Sequence, residues 1–95
     1  MLENDLIELV KKVKNMKSES NNIELKAAKI GAPKKLYGTL SSFSNLNNGG
    51  IILFGIDEEN DYELCGVYDA QDLQQQVTNQ SLQMEPVVRP LFTLA

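Results

Sequence analysis

The sequence has no histidine, a single cysteine and no long apolar run in its 95 residues. Each shortage removes a class of function. Without histidine there is no imidazole general base, no Ser-His-Asp triad and no histidine metal site. One cysteine, Cys65, excludes an internal disulfide and a thiolate cluster. A membrane helix needs roughly 18 apolar residues, and the longest run here, Ile51 to Ile56, has six. The opening Met-Leu-Glu-Asn-Asp is acidic and polar, unlike a secretion signal. A cytoplasmic protein with no membrane partner is therefore expected, and any hydrolytic chemistry falls to carboxylates, lysine or hydroxyls.

What is present is ordinary for a globular domain: 42% hydrophobic and 23% charged residues. A core of this size buries somewhat more than roughly 60% of the unfolded surface, enough to fold without staples. The net charge of −4 weighs against a nucleic-acid partner, but it is unevenly spread. Residues 1–40 hold eight Lys against five Asp and Glu, or +3; residues 41–95 hold one Arg against eight Asp and Glu, or −7. The plain reading of the charges is a solvated surface with helix-end complements.

Leu2, Leu6, Leu9, Val10 and Val13 recur at helical spacing and predict an amphipathic helix over residues 3–15. Its acids come first and its lysines last, which complements the helix dipole. Ile23 to Lys29 reads as a strand whose alternation puts Glu24 and Lys26 on one face. Gly31-Ala32-Pro33 is a turn, and a helix over 34–45 carries Leu36, Leu40 and Phe43 on one face. The run Ile51 to Ile56 reads as a strand covered on both sides, with Tyr62 to Val67 returning as its hairpin partner. Asp69 is a good N-cap for a helix over 70–83. Val87, Val88, Leu91, Phe92 and Leu94 read as the start of a further strand, which suggests that the last strands of the fold are truncated. The expected class is α+β: a small mixed sheet packed with about three helices.

Four features carry possible chemistry. Glu24 and Lys26, with Glu19 upstream, could hold a divalent metal and steady a phosphate's developing charge, although such a pair is most often a simple ion pair. The loop Asn45, Leu46, Asn47, Asn48, Gly49, Gly50 could bring backbone N–H groups close to a phosphate. It is not a P-loop, since the order is helix, loop, strand and no lysine follows the glycines, so ATP binding is not supported. Lys34 and Lys35 fall at the expected helix start, against the dipole, near Lys26 and Lys29; such a patch hints at an anionic partner. Asp57 ends the buried strand and could face the Glu24 strand; its neighbours Glu58, Glu59 and Asp61 read as a solvated turn.

In order, Glu19-Ser20, Ile23-Glu24-Leu25-Lys26, Ser42-Phe43-Ser44-Asn45, Gly49-Gly50, Phe54-Gly55-Ile56-Asp57, Cys65-Gly66-Val67 and the late Pro90 resemble the Schlafen/AlbA-type domain. Ser42 and Ser44 stand where alanine is commoner, and the step from Asn45 to the glycines is one residue longer than in many members. The resemblance implies a DNA-binding domain at the N-terminus of bacterial transcriptional regulators. Residues 1–17 are then an N-terminal helix and residues 18–95 the domain itself, incomplete at its C-terminus. On that reading Lys26, Lys29, Lys34 and Lys35 contact phosphates while Asn45, Asn47, Asn48, Gly49 and Gly50 shape the contact loop. No cofactor is expected. A related domain of animal Schlafen proteins resembles a ribonuclease, which implies an alternative in which Glu19, Glu24 and Asp57 bind Mg or Mn and Lys26 balances charge. A third reading is an oligomerising interaction module that uses an unpaired sheet edge.

Overall fold

Leu6, Leu9, Val10 and Val13 form the apolar stripe of helix α1, Glu3–Met16. Its first turn is fixed by the Asp5 carboxylate, which accepts the Leu2 N–H at 3.0 Å. It ends where Lys17 turns left-handed (φ 48°) and donates its N–H to the Val13 carbonyl. The computed structural model describes residues 1–17, 22–34, 36–47, 49–85 and 87–94.

Strand β1, Ile23–Lys26, pairs in parallel with β2, Ile51–Phe54, in the register Ile23 to Ile51 through Lys26 to Phe54. Parallel strands cannot be joined by a tight turn; the chain must cross back over the sheet. Helix α2, Tyr37–Ser44, makes that crossing. Eight helical residues span about 12 Å and four strand residues about 13 Å, so the helix returns the chain to the start of β2.

Alternation along β2 then divides the core. Ile51 and Leu53 face α1 and join Val13, Leu25 and Ile56. Ile52 and Phe54 face the other way, onto Leu36 and Leu40 of the α2 segment and Leu73 and Val77 of helix α3, Ala70–Leu82. Asp69 caps α3 by accepting the Asp72 N–H at 3.1 Å. The sheet is thus covered on both sides, as a continuous apolar run requires.

The run is nevertheless two strands. Gly55 adopts φ 99° and separates β2 from β3, Ile56–Asp57, which pairs antiparallel with β4, Glu63–Leu64. This break resets the alternation. Ile56, which would otherwise follow Phe54 to the α3 side, packs with Leu53 against α1 instead. A 3-10 turn, Glu58–Asn60, joins the two short strands. The parallel and antiparallel pairs are stitched together by Gly55 N–H to Lys26 O and Cys65 N–H to Gly55 O, both 2.8 Å, giving a small mixed α+β fold.

Several expected boundaries move. The first strand stops at Lys26 rather than Lys29, because Ala28 turns to φ 50°. The second helix begins at Tyr37, not residue 34, so Lys34 lies before the helix and the dipole argument does not reach it. The returning strand is only Glu63–Leu64, since Tyr62 is left-handed (φ 60°). The described residues 87–94 form no strand: the Val88 N–H is spent on Ser81 O (3.2 Å) at the end of α3, and Thr93 Oγ1 donates to Met1 O at 2.9 Å. No helix is long and apolar enough to cross a membrane among the described residues.

Candidate nucleic-acid interface

The expected site residues fall at two ends of the β1–β2 pair. At the carboxyl end the parallel register places Glu24 and Lys26 on the same sheet face as Ile52 and Phe54. Both side chains stay about one-third exposed, with Lys26 Nζ 3.5 Å from Glu24 Oε1. Three residues on, Lys29 Nζ lies 2.5 Å from Asp57 Oδ2.

Asp57 is the buried acid of the site at 8% exposure. Besides the lysine it accepts the Asn60 side-chain amide at 2.5 Å and the Glu59 N–H at 3.1 Å, so it also caps the 3-10 turn. These bonds, the one from Lys29 foremost, hold its carboxyl below the usual carboxylate range. The same bond raises Lys29 above the ordinary lysine value, against a smaller desolvation effect. Asp57 therefore faces the segment that follows β1, one step beyond where the alternation of Glu24 and Lys26 would put it.

Residues 28–34 form a loop whose two stems are anchored. On the first, Tyr68 donates its N–H to Ala28 O at 2.9 Å and the Cys65 thiol reaches Ala27 O at 3.6 Å. On the second, Gln80 of α3 donates Nε2–H to Pro33 O (2.9 Å) while its Oε1 accepts the Leu36 N–H (3.1 Å). Lys26, Lys29, Ile30, Gly31 and Pro33 surround an open depression above the alanines 27 and 28. Lys34, next in the chain after Pro33, is exposed and enters no salt bridge among the described residues. Nothing in the sequence marked Gln80 as the clamp; it sits in a Gln-rich helix face where only the fold distinguishes it from its neighbours.

The glycine loop lies at the other end. Ile51 donates its N–H to Asn22 O at 2.8 Å, which seats the loop beside the start of β1. Gly49 takes φ 68° and donates to Leu46 O at 3.1 Å. A Cβ on Gly50 would sit 2.2 Å from the Phe43 ring, so this glycine is needed to let the ring lie against the backbone. Asn45 and Asn47 are exposed there, and Asn48 lies outside the described residues. The three-residue step from Ile23 to Lys26 separates the two ends by about 10 Å.

Of the carboxylates of the metal alternative, the structure places Glu24 and Asp57, and each has a lysine partner. Glu19 and Lys35 lie outside the described residues. Glu24 faces Lys26, and both carboxylate oxygens of Asp57 are engaged. Among the described residues no group of three or more His, Cys, Asp or Glu side chains could hold a metal ion.

Comparison with known proteins bears on this arrangement directly. The family described as Schlafen, AlbA_2 matches residues 19–94. The chain belongs to that family. No curated protein and no solved structure matches the chain. The Schlafen/AlbA_2 match takes in both ends of the strand pair, the anchored loop and α3, and it identifies the domain as nucleic-acid-related.

Proposed function

We propose that this domain binds nucleic acid, DNA in the first place, through the carboxyl end of β1, as part of a transcriptional regulator. The observation that carries the reading is that Lys26 and Lys29 line one depression on an anchored segment, along which Lys34 is also exposed, in a nucleic-acid-related family. Ligands of parallel strands characteristically sit outside their carboxyl ends. Lysines there supply phosphate contacts that position a duplex without reading its sequence. The ion pairs do not disable them: an ammonium has three donors, and Lys29 remains 42% exposed while held by Asp57. The basic first half of the chain supplies this surface and offsets the acidic second half locally. In this proposal the loop Asn45–Gly50 sets the geometry of the crossover, with Asn45 and Asn47 as subsidiary contacts.

The test is titration of a fluorescent DNA duplex with the full chain at several salt concentrations. Affinity should fall linearly on a log–log plot, with a slope of about −0.9 per phosphate neutralised. Absence of binding at low salt would overturn the proposal.

A further inference from the structure

We infer that residues 28–34 are a preformed wedge, and that Ile30 at its tip inserts between base steps in the minor groove of a DNA duplex. The inference rests on the nucleic-acid reading and adds to it a mode of contact. Ile30 is 98% exposed. A single exposed aliphatic residue means little by itself. What sets this one apart is how the backbone below it is held. The ascending stem is fixed by the Tyr68–Ala28 bond and the Lys29–Asp57 ion pair, and Ala28 is kept at φ 50°. The descending stem is fixed by both ends of the Gln80 amide. These bonds satisfy part-buried backbone groups and, in doing so, hold both stems of the loop in one place.

The chemistry of the tip favours one occupant. Ile30 stands between Lys29 and Lys34, so an apolar wedge is flanked by cations on both sides along the chain. Minor-groove proteins unstack a base step with an aliphatic or aromatic side chain while Lys or Arg groups take the adjacent phosphates. A β-branched residue suits the task because its side chain is stiff before binding. Beside it, Gly31 has open space around its Cα, which lets a phosphate backbone approach closely.

The experiment uses duplexes carrying 2-aminopurine at a flexible TA step, titrated with the full chain. Wild type should bind and raise the 2-aminopurine fluorescence as the step unstacks. Ile30→Ala truncates a side chain that is 98% exposed in the free protein, so the fold should be unchanged. It should weaken binding roughly tenfold, abolish the fluorescence rise and leave the salt slope as it was. Lys34→Ala should do the converse: keep the fluorescence rise and reduce the salt slope by about one. Duplex binding by Ile30→Ala as tight as wild type, or a wild-type complex with silent 2-aminopurine, would overturn the wedge while the nucleic-acid reading stands. Failure of wild type to bind any duplex at low salt would instead remove the reading beneath it, and the wedge with it.

Discussion

The two ends of the β1–β2 pair are built from similar materials, short loops with small residues, yet they are organised oppositely. At the amino end the glycines are spent inward: Gly49 on its left-handed turn, Gly50 on clearance for Phe43. At the carboxyl end the inward work is done by Asp57, Tyr68 and Gln80, and the loop's own side chains, Lys29, Ile30 and Lys34, are left facing solvent. One end is a hinge for the crossover; the other is a presented surface. The comparison teaches that a glycine-rich sequence is a poor guide to a binding loop when the glycines answer a packing need.

The sharpest way to break this contrast is to substitute at the inward-facing end. Gly50→Ala drives a methyl into the Phe43 ring and should cost about 2–3 kcal/mol of stability, read as a fall in Tm of roughly 10–20 °C. Asn47→Ala beside it should leave duplex affinity within about twofold. A large affinity loss there would move the binding surface to the amino end.

Next comes Gln80→Ala, which strips both stem bonds from the second side of the loop. A part-buried N–H left without its acceptor costs about 1–3 kcal/mol. Unlike Gly50→Ala, this variant should also weaken DNA binding, because the tip it steadies becomes mobile. Thermal unfolding and duplex titration on the same sample separate the two effects.

The smallest expected effect concerns Asp57. Its pKa is lowered in the fold, so its contribution to stability is present above the ordinary carboxylate value and is lost as the pH falls through the folded value. Lys29 is raised, so its share is present below the ordinary lysine value and fades as the pH rises through the folded one. Asp57→Asn should therefore flatten the acid side of a urea-midpoint profile. It also removes a negative charge beside the lysines, which favours duplex binding at low salt, and the ion pair that steadies the ascending stem, which disfavours it, so duplex affinity should stay within about threefold of wild type. A much larger drop would show that the ion pair at the ascending stem matters more to binding than the charge it neutralises.

Much of the fold is legible in the residues, for identifiable reasons. Long periodic patterns such as Leu6, Leu9, Val10, Val13 and the cap at Asp69 fix α1 and α3 nearly to the residue. The apolar run 51–56 announces a doubly covered strand; its break falls at Gly55, where an isolated glycine inside a strand pattern is the local sign of it. The strand expected at 87–94 failed because propensity cannot say whether a partner edge is within reach, and here the Val88 N–H is taken by α3. Of the site, the lysines and Asp57 stand out as residue types. Their sorting into two ends follows from the parallel register, and the clamping role of Gln80 comes from a contact across 47 residues of chain.

The crossover has one more consequence, for how such a domain could diversify. Since the bonds holding residues 28–34 come from Tyr68, Asp57 and Gln80, all of them outside the loop, the stretch between the stems behaves as an exchangeable cassette. Lengthening it by a few residues adds only the slowly growing entropy of closing a longer loop. The same scaffold can therefore carry a different sequence between Lys29 and Pro33 without its core being redesigned.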